Sequence, residues 1–333
     1  MKKVRYLVVI MVAACKMLPV AAQVDPHFSQ YYAYPLWLNP ALTGAIDGDY
    51  RLSANYKNQW NGVMDAFSTV GISGDFVTNK SLNLGMNILS QAAGDAGYHY
   101  NTGYISAAFT GIKFGYSGYQ RLVLGLQAGL INRNFNLSKF KLGDQWNPVT
   151  GYSPSNPTSD VFTRSSSTAF DAGAGALFYD GDPDKAMNLF AGFSAFHLTR
   201  PEDPFVFGDK RNLPIRWTVH GGARFAMSEV VNFVPNFLYV RQGNAEEKIL
   251  GGYAELKADT YTDLLLGGSY RFQDAFIAFA GFRYNNMVLG LSYDATTSSL
   301  KNYARGNSFE LSISFIGRKA RVFPEEYFVC PRL

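Results

Sequence analysis

The feature of this sequence that most constrains its fold is an alternation of apolar and polar side chains with a period of two. In SLNLGMNIL (81–89) every second residue is Leu, Met or Ile, and the residues between them are Asn and Gly. In SFELSISF (308–315) Phe, Leu and Ile alternate with Glu and Ser. An amphipathic helix would need a period near 3.6. The pattern therefore predicts β-strands of about ten residues that have one apolar and one polar face.

Fourteen segments follow this pattern, and an even number suits an antiparallel barrel with both termini on one side. The long connections, about 135–165, 199–213 and 296–305, all follow odd-numbered strands. This is expected when external loops are long and periplasmic turns are short. The predicted strands are 50–57, 65–74, 81–90, 98–112, 120–134, 166–179, 187–198, 214–226, 231–241, 247–257, 262–272, 275–284, 287–295 and 306–317.

The composition favours a membrane barrel over a soluble domain. Aromatic residues make up 15 % of the chain, charged residues only 17 %, and there are 32 glycines. No segment beyond the first 22 residues approaches the 18 or more apolar residues of a membrane helix. We therefore predict an all-β fold, a transmembrane antiparallel up-and-down β-barrel of about 14 strands. The strands of a soluble β-sandwich also alternate, so this fold is the alternative, although its strands are usually shorter.

The first 22 residues have the organisation of a secretory signal. Lys2, Lys3 and Arg5 precede an apolar run, and small residues at 20–22 form a cleavage site. A lipidated Cys15 is the alternative. The formal charge of +4 lies in this signal, so the mature chain is near neutral and nucleic-acid binding is not indicated. The predicted organisation is signal peptide 1–22, N-terminal segment 23–48, barrel 49–318 and periplasmic tail 319–333.

The segment DPHFSQYYAYPLWLNPALTG (25–44) fits neither a strand nor a continuous helix. Three prolines interrupt it, and its aromatic and leucine side chains would form an apolar patch too large to leave in water. Chain order places it beside the periplasmic mouth of the barrel. We therefore predict that it forms an irregular plug in the lumen or across that mouth.

Pro235 lies inside the predicted strand 231–241, where a closed barrel has no free edge to accommodate a missing N–H donor. A β-bulge is predicted there. The segment 98–112 also has poorly polarised faces, so its orientation is not fixed by the pattern.

The sequence gives little support to an enzyme, a metal site or a bound cofactor. The four histidines are isolated, with neither H-x₃-H nor H-E-x-x-H spacing. The charges predicted to face the lumen have mixed sign. They either neutralise one another in a filled interior or form a wall that selects a solute, and both interpretations stay open. These residues are Arg133, Asp171, Glu255, Lys257, Arg271, Arg283, Asp294 and Glu310.

Both ends of the chain resemble the PorP/SprF family of outer-membrane proteins of Bacteroidetes. In that family an SQY element is followed by an NPA element and a glycine, and a short tail carries Cys-Pro and a basic residue. Leu333 stands where the tail of that family would have an aromatic residue. The matching positions are Ser29, Gln30, Tyr31, Asn39, Pro40, Ala41 and Gly44 in the plug segment and Cys330, Pro331 and Arg332 in the tail.

The resemblance implies an integral outer-membrane component or accessory of the type IX secretion system. It implies that the chain supports secretion or surface attachment of proteins, gliding adhesins among them. The implied partners are outer-membrane lipid, periplasmic ring proteins of the PorK and PorN type or their adaptor, and a secreted surface protein. Both termini would be periplasmic.

The tail beyond the last strand suggests a docking element for a periplasmic partner, with Phe323, Tyr327 and Phe328 as anchors and Cys330 buried or facing the partner. A tail folded back over the mouth is the alternative. The competing function for the whole chain is a passive transporter of hydrophobic or small polar solutes, similar to FadL-type barrels.

Overall fold

The computed structural model describes residues 25–318 apart from 60–66, 79–80, 95–96, 116–117, 137–138, 140–141, 154, 157, 159–163, 203–211 and 299–306. The predicted signal peptide and the predicted tail lie outside the described residues. The strands are β1 Tyr50–Gln59, β2 Phe67–Phe76, β3 Leu82–Ala93, β4 Tyr98–Phe114, β5 Gln120–Asn134, β6 Trp146–Asn147, β7 Gly151–Tyr152, β8 Ser166–Asp180, β9 Met187–Phe196, β10 Arg216–Ala226, β11 Val231–Gln242, β12 Ala245–Lys257, β13 Thr262–Arg271, β14 Ala275–Tyr284, β15 Met287–Thr296 and β16 Ser308–Gly317.

Fourteen of these strands form one closed antiparallel barrel, and the first strand pairs with the last. The seam runs from Tyr50 opposite Gly317 to Asn58 opposite Phe309. β6 and β7 form a separate small hairpin within the connection between β5 and β8. The predicted fourteen-strand barrel is confirmed, and each predicted strand ends within about three residues of the observed one.

The alternation places apolar side chains on the outer surface and polar side chains inside. Along β3, Met86 and Ile88 are exposed while Asn83 and Asn87 are buried. In the poorly polarised segment 98–112, burial alternates as far as Phe109, and the inward face includes the aromatic side chains of Tyr100 and Tyr104. The strand becomes irregular only at its end. The register between β4 and β5 shifts between Phe109 and Ile112, and such a bulge reverses the face of the residues that follow.

The bulge predicted at Pro235 is wrong. The pairing of β10 with β11 is interrupted between Gly222–Asn236 and Phe225–Phe233, but its register is the same on both sides. Pro235 stays in the ladder with β12, opposite Gly252. The missing N–H is therefore accommodated by omitting pairs on one side of the strand, without an extra residue.

The two ends of the barrel differ in their connections. The long-loop end carries the connections between β5 and β8, β9 and β10, and β15 and β16. The short-turn end carries turns such as 227–230, 258–261 and 285–286, together with the first residue of β1 and the last of β16. No helix in the described ranges is long and apolar enough to cross a membrane.

Residues 25–49, hereafter the plug, lie inside the barrel. Their large apolar side chains are buried, with Tyr34 and Leu36 completely inaccessible. The plug contains three short helical turns, at Tyr31–Ala33, Pro35–Leu38 and Pro40–Leu42. The prolines that exclude a continuous helix begin two of these turns, because a proline at the first helical position loses no hydrogen bond.

The plug packs closely against one side of the barrel wall, where the wall carries glycines. The turn Pro40–Leu42 contacts β4, β5, β8 and β9. A Cβ atom at Gly125 would collide with the backbone of Pro40 and Ala41, and one at Gly175 would collide with Asn39. These glycines let the plug backbone approach the strands more closely than any other residue allows.

We predict that Gly125→Val displaces the plug and lowers the thermal stability of the barrel, because overpacking a filled site costs about 1–3 kcal/mol or more. The midpoint of heat-induced unfolding, followed by mobility on SDS gels, measures the effect. Gly103→Val is the matched control, since Gly103 also lies in a strand but has no atom within 4 Å of the added Cβ. Equal losses in both variants would contradict the close contact.

Candidate functional site

The S-Q-Y element of the plug is bound to the wall through the carboxylate of Glu310 on β16. The backbone N–H groups of Ser29 and Gln30 donate to its two oxygens at 2.6 and 3.1 Å. The Gln30 amide also donates to Ser292 Oγ at 3.2 Å and accepts from Ser312 Oγ at 2.7 Å. Tyr31 donates its hydroxyl proton to Asn236 Oδ1 at 2.6 Å. Each residue of the element therefore has its own partner on the wall.

Charged side chains from three strands contact the hydroxyl of Ser29. It donates to Asp294 Oδ2 at 2.5 Å and accepts from Lys57 Nζ at 3.0 Å and Arg271 Nη2 at 2.8 Å. Arg271 also forms ion pairs with Glu247 at 3.3 Å and Asp294 at 3.2 Å. Lys57, Arg271 and Asp294 are nearly inaccessible to solvent, Glu247 is partly buried, and each lies beside a group of opposite sign.

The N-P-A element is anchored by Asn39, which is completely buried. Its side-chain oxygen accepts from the backbone N–H of Ala41 at 2.9 Å and so begins the turn at Pro40. Its amide nitrogen donates to the carbonyls of Ala176 at 3.0 Å and Phe193 at 3.3 Å, and lies 3.1 Å from His220 Nε2. Since an amide nitrogen only donates, Nε2 of His220 is the acceptor.

Gly44 lies in the part of the plug nearest the short-turn end. It has a φ of +70°, and a Cβ atom there would collide with Asn83, so both its conformation and its space require glycine. Its backbone N–H donates to Asp75 Oδ2 at 2.7 Å. Arg51 pairs with the same carboxylate at 2.9 Å and donates to the carbonyl of Leu42 at 3.0 Å.

A second buried ionic cluster lies at the long-loop end, and Asp171 is its one member that was predicted from the sequence. Asp25 Oδ2 lies 2.6 Å from His197 Nε2 and 2.9 Å from Arg216 Nη1. The other ring nitrogen of His197 lies 2.8 Å from Asp171 Oδ2. Tyr100 completes the shell by donating to Asp25 Oδ1 at 3.3 Å. An imidazolium that donates from both nitrogens satisfies both carboxylates.

Arg216 is held by aromatic faces as well as by charge. Its guanidinium lies 4.4 Å from the ring centre of Trp37 and 4.1 Å from that of Phe196. It also donates to the carbonyl of Trp37 at 3.1 Å. The sequence signal for this residue was its parity, because Arg216 falls on the inward face of β10 with Thr218 and His220. His197 gave no such signal, since it follows β9 in a strained conformation with a φ of 60°.

Burial and neighbouring charges shift the pKa values of Asp25 and His197, the members of this cluster that lie outside the strands, and also that of His27. Burial raises the pKa of Asp25, but His197 and then Arg216 outweigh this, and the pKa lies well below its ordinary 3.8. Burial lowers the pKa of His197, but the Asp25 carboxylate and Asp171 outweigh it and keep the pKa above 6.5. Burial, followed by the charge of Lys57, lowers the pKa of His27 well below 6.5, so this imidazole is neutral.

Of the eight charges predicted to face the lumen, six are buried inside the barrel: Arg133, Asp171, Glu255, Arg271, Asp294 and Glu310. Arg283 is partly buried and pairs with Asp263 at 2.5 Å and Glu255 at 3.7 Å. Arg133 lies over the ring of Tyr100, 5.1 Å from its centre. Lys257 is exposed at the end of β12.

In the part of the barrel that the structure describes, two cavities lie between the plug and the wall. One, of about 250 Å³, opens toward the long-loop end and is lined by Asp25, His27, Trp37, Arg216, Leu238 and Arg271 among others. The other, of about 290 Å³, opens toward the short-turn end and is lined by Tyr32, Tyr253, Leu265 and Phe279 among others. Within the described ranges, no group of three or more His, Cys, Asp or Glu side chains is placed to hold a metal ion.

Comparison with known families assigns this plugged barrel. The family model described as type IX secretion system membrane protein PorP/SprF matches residues 20–315. The chain belongs to the PorP/SprF family. The match includes the S-Q-Y and N-P-A elements whose contacts with the wall are described above. No curated protein matches the chain.

Solved structures show the same fold at low sequence identity. The Ralstonia pickettii toluene transporter TbuX is 11 % identical, with a TM-score of 0.54 over 86 % of this chain and 93 % of that chain. The monoaromatic hydrocarbon channel CymD is 9 % identical, with a TM-score of 0.52 over 90 % and 96 %. The P. putida toluene transporter TodX is 8 % identical, with a TM-score of 0.51 over 89 % and 95 %. At these identities the likeness shows the outer-membrane barrel fold and no more.

We predict that the plug is held most firmly between pH 3.8 and pH 6.5, where the contributions of Asp25 and His197 are both present. Asp25 has a lowered pKa in the folded protein. Its contribution to the stability of the docked plug is therefore present above pH 3.8 and is lost as the pH falls through that lowered pKa. His197 has a raised pKa, so its contribution is complete below pH 6.5 and is lost as pH rises through its folded value. The unfolding midpoint as a function of pH measures both limbs. In His197→Asn the unfolding midpoint should no longer fall as the pH rises above 6.5. An unchanged fall in this variant would show that His197 is not the group responsible.

We also predict that Arg216→Met loosens the plug, because breaking a buried ion pair costs about 3–5 kcal/mol. The variant should show a lower unfolding midpoint and a larger ion conductance in planar bilayers than the unmodified barrel. Lys248→Met is the control, because Lys248 pairs with Glu246 at 2.8 Å but half of its side chain is exposed. A conductance that rises equally in both variants would show that the Arg216 cluster does not hold the plug.

Proposed function

We propose that this chain is an integral outer-membrane component or accessory of the type IX secretion system that supports secretion or surface attachment of proteins by anchoring partners. Family membership supplies the system. The observation that favours anchoring over conduction is the plug, which is tied to the wall near both ends of the barrel. Asp25 is bound near the long-loop end, and Gly44 is bound to Asp75 near the short-turn end.

In this proposal the short-turn end faces the periplasm and the long-loop end faces the cell exterior. The lengths of the connections support this orientation, since outer-membrane barrels have short periplasmic turns and longer external loops. The aromatic and aliphatic exterior of the strands faces outer-membrane lipid. Periplasmic ring proteins of the PorK and PorN type, or their adaptor, would meet the short-turn end, and a secreted adhesin or other surface protein would be the cargo.

The proposed residue roles follow the two ends of the family signature. Ser29, Gln30, Tyr31, Asn39, Pro40, Ala41 and Gly44 fix the plug. The tail residues Phe323, Tyr327, Phe328, Cys330, Pro331 and Arg332 lie outside the described residues and are proposed to dock the periplasmic partner. The paired lumen charges support the filled interior and do not form a selective wall.

A deletion strain tests the proposal. Without this chain, proteins destined for the cell surface should accumulate in the periplasm, and the full chain should restore their export. A chain lacking 320–333 should reach the membrane and keep the unfolding midpoint of the full chain. It should nevertheless capture less of the periplasmic ring proteins in a pull-down. An epitope placed near Asn156, in the connection between β5 and β8, should be labelled on intact cells. Normal export in the deletion strain would contradict the proposal.

Passive transport of hydrophobic or small polar solutes is the second candidate function. It is favoured by the two lumen cavities and by the fold shared with the toluene transporter TbuX and the hydrocarbon channel CymD. The same deletion strain separates the two functions. Loss of growth on particular solutes while surface proteins are exported normally would support transport and contradict the secretion role.

A further inference from the structure

The cavity at the short-turn end has the shape and chemistry of a ligand site. It measures about 290 Å³ and lies between the plug and strands β1 and β12–β16. Asn285 and Asn286, in the turn between β14 and β15, line it and are exposed, so the cavity opens to solvent at this end. An engineered cavity of about 150 Å³ binds benzene. The space here therefore suits a molecule of about two fused rings.

Three aromatic rings form one wall of this cavity. The ring centre of Tyr32 lies 5.8 Å from that of Tyr253 and 6.2 Å from that of Phe279, and the last two are 6.2 Å apart. Leu265 and Val288 extend the apolar surface. Rings arranged in this way offer both faces and edges to a further aromatic ring.

The charged groups around the cavity are neutralised within the protein. Arg51 pairs with Asp75 at 2.9 Å, Arg283 with Asp263 at 2.5 Å, and Arg318 with Asp47 at 2.6 Å. No guanidinium in this set is left to bind an anionic ligand, so the site favours a neutral molecule. The hydroxyl of Tyr32 makes no hydrogen bond to another described residue, and it is the group available to a polar atom of the ligand.

A layer of the plug separates this cavity from the one at the long-loop end. Tyr31 lines the long-loop cavity, and its neighbour Tyr32 lines the short-turn cavity. The two rings pack edge to face with centres 5.0 Å apart, and Tyr31 is bonded to Asn236 on β11. The short-turn cavity is therefore closed at its inner end. The other cavity differs chemically, because Asp25, Arg216, Glu247, Arg271 and Asp274 line it.

We propose that the short-turn cavity binds a small neutral aromatic molecule of about two fused rings that carries one hydrogen-bonding group. The ligand lays its rings against the wall formed by Tyr32, Tyr253 and Phe279, and its polar atom bonds to the Tyr32 hydroxyl. The ligand enters the cavity from the short-turn end, and its entry requires no displacement of the plug. This site is independent of the proposed role in secretion.

Indole, which has two fused rings and one N–H, is the probe. Its binding to the full-length barrel in lipid nanodiscs is measured by saturation-transfer NMR, with empty nanodiscs subtracted. Leu265→Trp fills the cavity and should weaken binding at least about tenfold, which corresponds to about 1.4 kcal/mol. Tyr32→Phe keeps the ring and removes the hydroxyl, and it should weaken binding several-fold.

Leu238→Trp is the matched control, because Leu238 is a buried leucine that lines the other cavity. It should leave the affinity for indole unchanged. Val288→Phe fills the short-turn cavity from a different strand and replaces Leu265→Trp if that variant does not assemble. Absence of binding to the unmodified barrel, or a loss of binding in Leu238→Trp alone, would overturn the proposal.

Discussion

The hydrogen-bonded seam between β1 and β16 is the constraint on which the rest of the structure depends. Closure of the ladder pairs each of the fourteen barrel strands on both sides and gives the barrel an outside and an inside. The two-residue period then sends alternate side chains into a lumen that is cut off from the membrane. Polar and charged groups collect there, and they are stable only if they are paired or hydrated. The plug answers that requirement, because it brings polar groups to the wall's charges.

Neither the plug nor the wall satisfies its buried polar groups alone. Glu310 on the wall accepts two backbone N–H groups that a short, proline-interrupted segment cannot pair internally. In return, the plug supplies Asp25, whose carboxylate lies between His197 and Arg216. This reciprocity explains why so many charges can be buried in a barrel of near-neutral net charge.

The period of the side chains was sufficient to predict the barrel, because burial on one face fixes every second residue of a strand. The period could not predict local departures from regular strand pairing. The bulge after Phe109 and the unshifted register at Pro235 depend on how a neighbouring strand accommodates a single residue. The plug contacts were also hidden, since Asp25 meets His197 and Arg216 only after the barrel has closed. Arg271 and Asp294 were accessible to prediction because both fall on inward positions, whereas the neutral aromatic cavity depends on where the plug leaves space.

The connection between Ser29 and Glu310 has a consequence for the order of folding. The two residues are 281 positions apart, and Glu310 belongs to the final strand. The plug comes before the whole barrel in the chain, yet it cannot complete its bonds until the last strand has been added. Docking of the plug is thus a late event that marks a fully assembled barrel. Without β16 in place, the backbone N–H groups of Ser29 and Gln30 lack the Glu310 carboxylate that accepts from them.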